Sequence, residues 1–195
     1  MPRSPEQYDE IRKHKKQLIM DTALELFAED GFHATSMNKI AVKAGISKGL
    51  AYNYFESKQE ILDEIIKTGV DSIYTHFDLN HDGVLTEEEF EYFIRKSFQV
   101  ISANRRFWKL FASLMMQSGL AESIQQKYGA TSESIMRIMQ KFLESEGSKD
   151  PLTDTLIITS MLKGALLLII TVPDYVNADK LQDKITEACF RLIDN

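Results

Sequence analysis

The chain has 195 residues, enough for one medium domain or for a small domain joined to a larger one. Hydrophobic residues make up 44% and charged residues 27%, a globular balance that excludes an extensively disordered or fibrous chain. The formal net charge is −6, yet residues 1–58 hold nine Lys or Arg against eight Asp or Glu, so the acidity lies in residues 59–195 and a local basic face is permitted.

The opening stretch MPRSPEQYDEIRKHKK has no apolar core and is not a signal peptide. Cys189 is the single cysteine, so no intramolecular disulfide forms, and a reducing, cytoplasmic location is expected. Order is expected after the first dozen residues. Leu18, Ile19, Thr22, Ala23, Leu26 and Phe27 recur at spacings of three and four, which predicts a helix over 15–29 that Gly31 ends. Arg12, Lys13, Lys15 and Lys16 make one end of it basic, and Asp21, Glu25, Glu29 and Asp30 follow along it. A short second helix starts near Thr35–Ser36, with Met37, Ile40, Ala41 and Ala44 on one face, and Gly45 breaks it. A third begins at Ser47 and buries Leu50, Ala51 and Tyr54.

From Glu56 a long helix turns Ile61, Leu62, Ile65, Ile66 and Val70 inward and reaches about Phe77. A polar turn over 78–85 precedes helices at 86–103, 105–117, 121–146, 152–172 and 178–193. Residues 147–151 form a loop, and Pro173 closes the apolar helix ahead of it. Lys163 interrupts that helix, which reads as a buried core helix with no membrane partner. No strand pattern of period two occurs. The expected fold is all-α with about nine helices, a three-helix unit in 1–58 and a larger helical domain in 59–195.

Residues 36–55, SMNKIAVKAGISKGLAYNYF, carry the main functional signal. Two short helices meet at Ala44-Gly45-Ile46, where glycine supplies the positive φ of a tight inter-helix turn. Ile40, Ile46 and Leu50 form a miniature core, which leaves Ser47, Lys48, Gly49, Tyr52 and Asn53 outward on the helix that would enter a major groove. Gly49 permits close backbone approach, Lys48 reaches a guanine edge or a phosphate, Asn53 bonds a base edge, and Tyr52 packs on a thymine methyl. Ser36, Tyr54 and Lys58 are placed to hold phosphates.

From Gly31 to Leu62, GFHATSMNKIAVKAGISKGLAYNYFESKQEIL, the sequence resembles the TetR family of bacterial repressors. Ala51 stands where a bulkier aliphatic is common, so slightly looser packing is expected there. The resemblance implies a homodimer on a double-stranded, near-palindromic operator, with Ser36, Lys48, Gly49, Tyr52, Asn53, Tyr54 and Lys58 at positions like the family's DNA contacts. It also implies a small-molecule effector pocket in the C-terminal helices and a dimer face made by the last two. Gly164 and Ala165 would allow close approach across a two-fold axis, with Cys189 nearby. Phe98, Phe107, Trp108, Phe111, Met115 and Met139, with Phe93, Met116, Met136 and Phe142, are candidate pocket residues, although helical spacing would produce most of them as plain core.

One further motif does not belong to that pattern. DLNHDGVLTEEE, Asp78 to Glu89, resembles an EF-hand calcium loop: Asp78, Asn80, Asp82, the Val84 carbonyl, Thr86 and Glu89 stand at ligand positions, with Gly83 at the bend. Oxygen donors at alternating positions wrap a hard cation, and Phe77 and Phe90 are expected on the flanking helices. The competing reading is an Asp-Gly turn followed by a metal-free capping box, Thr86-x-x-Glu89, and the loop has no second copy to pair with. Calcium would bind weakly, fix the angle between the helices on either side and bias operator affinity; no cofactor is otherwise required. No nucleophile motif, phosphate-binding glycine loop or zinc spacing is present, so an enzyme is not expected. A calcium-sensing interaction module and a ligand-binding protein without DNA affinity remain as rivals to the regulator.

Overall fold

The structure is a computed structural model that describes residues 5–117 and 119–193. Among them are nine α-helices and no strand: α1 (Pro5–Asp30), α2 (Met37–Lys43), α3 (Lys48–Tyr52), α4 (Lys58–Tyr74), α5 (Glu87–Ala103), α6 (Arg105–Met115), α7 (Ala121–Ser145), α8 (Pro151–Thr171) and α9 (Ala178–Ile193). The all-α expectation holds. The chain forms two compact units: one runs to Gly69 and takes back Leu110–Gln117, and the other holds Val70–Lys109 and the chain beyond Gln117.

In the first unit Ile19, Ala23 and Phe27 of α1, Ile40 of α2, Ala51 of α3 and Ile61 of α4 are fully buried, so the three-and-four spacing of α1 does face a core. Helix α1 starts ten residues earlier than the apolar period suggests. Residues 6–14 of its leading turns are exposed and hold good helix formers with no apolar stripe, so propensity makes a helix that periodicity cannot reveal. Gly31, at φ +88°, ends it as expected. Gln117, just beyond α6, bonds the backbone at this point: its Nε2 donates to the Phe27 carbonyl (2.6 Å), and its Oε1 accepts from the Phe32 N–H (3.3 Å). Gly69 lies against Phe111, where an added Cβ would stand 2.6 Å from the ring.

The second unit is built around Phe90 of α5, fully buried with ring centroids of Phe142 and Phe190 at 5.6 and 5.8 Å. Helix α5 opens with a complete capping box between Thr86 and Glu89. Asp150 caps α8 by accepting the Thr153 N–H, and hydrogen bonding from the Thr153 side chain and then its backbone holds the carboxyl below the ordinary aspartate range. Among the described residues α8 alone is long and apolar enough to cross a membrane. One face of α8 (Thr155, Ile158, Leu162, Ala165, Ile169 and Ile170) is buried, and the helix packs on α5, α7 and α9. The opposite face is not covered by the described residues: Leu156 is 51% exposed and Leu168 47%, with Ile157 and Leu167 beside them. Ala165 therefore points inward, whereas Gly164 lies on the open face. Cys189 is buried, and desolvation pushes its thiol up to about 11, so it is a neutral core group at neutral pH.

Candidate nucleic-acid interface

Helices α2 and α3 meet through Ala44-Gly45-Ile46, and Gly45 sits at φ +65°, the left-handed conformation that the tight turn requires. Ser36 caps α2 by accepting the Lys39 N–H (3.2 Å), and Ser47 caps α3 by accepting the Leu50 N–H (3.1 Å). With α2 and α3 fixed against α1 by buried Ile40 and Ala51, the other side of α3 faces solvent. Ala51, where looser packing was expected, has no exposed surface at all.

Lys48, Gly49, Tyr52 and Asn53 are all exposed, Tyr52 to 46%. The Lys48 ammonium stands 5.9 Å from the centroid of the Tyr52 ring, and among the described residues it has no carboxylate partner. The lysines of α2 differ: Lys39 pairs with Asp30 (2.8 Å), and Lys43 lies 3.4 Å from Glu25 and 3.5 Å from Glu29. Cationic charge on α2 is thus compensated by α1, and that of Lys48 is left outward. A Cβ on Gly49 would meet nothing within 4 Å, so no packing within the chain demands glycine there. Tyr54 is half-buried, with the Arg12 guanidinium 5.9 Å from its ring centroid.

Lys58 is engaged differently from a phosphate-contacting lysine. Its ammonium donates to the carbonyls of Phe32 (2.8 Å), His33 (3.1 Å) and Thr35 (2.8 Å) and sits 4.6 Å from the centroid of the Phe32 ring. All three of its N–H donors are taken, so it ties the start of α4 to the α1–α2 connection. Sequence spacing placed the residue beside the interface but carried no sign of this bond set. Lys58→Met should lower stability by about 2 kcal/mol, because partly buried carbonyls lose charged donors, as chemical denaturation will read.

The loop at 78–89 has an ordered polar backbone. Asp78 Oδ2 accepts the Gly83 N–H (3.0 Å), Asn80 Oδ1 the Asp82 N–H (3.1 Å) and Asp82 Oδ1 the Val84 N–H (2.8 Å). Gly83 and His81 both have positive φ, and Leu85 is buried. Val84 and Thr86 are exposed. Glu89 is turned back on Thr86, its Oε2 accepting that residue's N–H (3.1 Å). Asp78 Oδ1 is buried without a hydrogen-bond partner. Among the described residues no group of three His, Cys, Asp or Glu side chains is gathered to hold a metal ion. Phe77 lies past the end of α4, not on it, yet is buried edge-on against Phe93 at 5.1 Å.

Within the second unit an apolar cavity of about 250 Å³ is walled by Ile73, Tyr74 and Phe77, by Phe93 and Ser97 of α5, by Met136 and Met139 of α7, and by Thr155, Thr159, Leu162, Lys163 and Leu166 of α8. Of the six principal pocket residues expected from sequence, Met139 lines it; Phe93 and Met136 of the wider set do so too. Phe98 is core, Phe107 and Trp108 pack edge-on at 5.2 Å, and Phe111 and Met115 lie in the first unit. Sequence reasoning missed Tyr74, Phe77 and the α8 threonines, because helical spacing marks a buried face without marking what it is buried against.

Residues 19–65 match the family model for bacterial regulatory proteins, tetR family. The chain is 36% identical over 107 residues to the uncharacterized HTH-type transcriptional regulator YuxN of Bacillus subtilis (strain 168), covering 55% of this chain and 36% of that protein. It is 32% identical over 87 residues to the HTH-type transcriptional repressor KstR2 of Rhodococcus jostii (strain RHA1), covering 44% of this chain and 43% of that one. The matches thus span well under two thirds of either relative. A solved TetR-like transcriptional regulator from Rhodococcus sp. RHA1 is similar in fold, with a TM-score of 0.70 at 21% identity over 91% of this chain and 94% of that one. Residues 19–65 are thus similar to the N-terminal region of the tetR family of bacterial regulatory proteins, and the solved regulator shows a shared fold.

Proposed function

We propose that the protein is a sequence-specific, double-stranded-DNA-binding transcriptional regulator, a cytoplasmic repressor that works as a homodimer. A small apolar effector in the second-unit cavity and a calcium ion in the 78–89 loop modulate its operator affinity. The observation that carries the DNA reading is the outward set on α3 and its C-terminal cap: Lys48, Gly49, Tyr52 and Asn53 are exposed beside a buried Ala51 and a glycine turn. Ser36 and Tyr54 flank them and reach phosphates. Binding depends on charge, shape and base edges together, so it is both salt-sensitive and sequence-selective.

The open face of α8 supports dimerisation. Leu156, Ile157, Leu167 and Leu168 are exposed around Ser160 and Gly164, small residues that let a second copy of the helix approach closely. For calcium, the supporting observation is the buried, unpartnered Asp78 Oδ1 within a twelve-residue loop of oxygen donors.

Fluorescence anisotropy on a duplex from immediately upstream of the protein's own gene tests the regulator reading. The expected result is affinity at least a hundredfold above that for scrambled duplex, falling steeply as salt rises. Equal affinity for both duplexes would remove the claim of sequence-specific regulation.

A further inference from the structure

The lining of the second-unit cavity is not uniform. Tyr74, Phe77, Phe93, Met136 and Met139 make one part of it, and α8 sets Thr155, Thr159 and Lys163 along another at successive turns. That polar stripe winds outward: Thr155 is fully buried, Thr159 is half-buried and Lys163 is exposed. Among the described residues Lys163 is the one charged side chain that lines the cavity. We infer that the effector taken here is an apolar molecule ending in a single carboxylate, held at Lys163; the inference rests on reading the cavity as an effector site.

The buried hydroxyls have no proton to offer a ligand. Thr155 Oγ1 donates to the Pro151 carbonyl (2.7 Å) and Ser97 Oγ to the Phe93 carbonyl (2.8 Å), each within its own helix. The inner part of the cavity therefore suits a hydrocarbon or aromatic body. Toward the opening the donors are uncommitted: among the described residues the Thr159 hydroxyl and the Lys163 ammonium have no side-chain or carbonyl partner. Glu133 and Arg137, which neighbour the lining residues Ser132 and Met136 on α7, pair with each other (3.8 Å) and stand outside the cavity.

A carboxylate that enters an apolar site loses hydration and needs a cation where it comes to rest. The lysine stem can lie along α8 with its ammonium at the opening, which puts the positive charge at the end of the cavity and the apolar walls behind it. One ammonium balances one negative charge. A phosphate dianion would stay uncompensated, and no arginine lines the cavity to grip it at two points. Burial pushes the Tyr74 hydroxyl up, so it keeps its proton and adds no repelling charge.

Calorimetry on the full chain, with ligands of one tail and different heads, tests this. At neutral pH and low salt octanoate should bind about tenfold or more tightly than 1-octanol, and octylammonium more weakly than either. The gap between octanoate and 1-octanol should narrow as salt rises. Lys163→Met keeps the stem at an exposed helical position, so its melting temperature should match the parent while the preference for octanoate falls to about threefold or less. Ser97→Phe places a ring in the cavity and should abolish binding of both ligands. A parent protein that binds neither octanoate nor 1-octanol at millimolar concentration overturns the reading of the cavity as an effector site. Octanol bound as tightly as octanoate, a preference that persists in Lys163→Met, or octanoate still bound by Ser97→Phe overturns the carboxylate assignment alone.

Discussion

Replacing Lys48 and Tyr52 together by alanine should lower operator affinity about a hundredfold, since each groove contact is worth about 1–3 kcal/mol. Both side chains are exposed and neither fills the core, so the melting temperature should stay within a degree or two of the parent. Lys48→Ala alone should weaken binding to specific and scrambled duplexes alike and flatten the salt dependence if it meets a phosphate. Tyr52→Ala should instead narrow the gap between the two duplexes. Gly49→Ala isolates a different cause. Nothing within 4 Å obstructs a methyl there, and alanine is the better helix former, so the fold is retained or slightly stabilised. A loss of DNA affinity in that variant would arise from the methyl group coming between the α3 backbone and the duplex.

Charging the open face of α8 should have the second large effect. Leu156→Glu with Leu168→Glu places two carboxylates on exposed positions of that helix, which costs the isolated chain little. Across the proposed two-fold axis the same change would bring like charges together and remove the apolar surface on which the proposed dimer rests. Sedimentation equilibrium should show the mass falling from about twice 22.3 kDa to 22.3 kDa. Operator affinity should fall about a hundredfold or more, because a single copy reads one half-site. A parent protein that sediments as a monomer, or a charged variant that stays dimeric, would contradict assembly through α8.

Much of this arrangement was legible in the residues. The apolar period of α1, the stops at Gly31 and Gly45, and the capping box at Thr86 each rest on local chemistry, which survives whatever the chain later packs against. The exposure of Lys48, Tyr52 and Asn53 followed from the same reasoning, because Ala51 faces the core. What stayed hidden depends on contacts distant in sequence. Residues 5–14 form helix without an apolar stripe. The amide of Gln117 bonds backbone eighty-five and ninety positions away. The three carbonyls that hold Lys58 come from a bend that no pattern in its own helix announces. The cavity is similar: Phe107, Trp108 and Phe111 carry the period of a buried face, but only the packed tertiary structure shows that Tyr74, Phe77 and Met139 enclose open space.

The most direct measurement is photocrosslinking of the protein to an upstream duplex carrying bromodeoxyuridine in place of thymidine, with the attached peptide identified by mass spectrometry. The crosslink should fall on the segment from Ser47 to Tyr54, and unlabelled specific duplex should compete it away. Crosslinks confined to residues outside the first unit would mean that α3 does not lie in the groove, and the outward lysine and tyrosine would need another purpose.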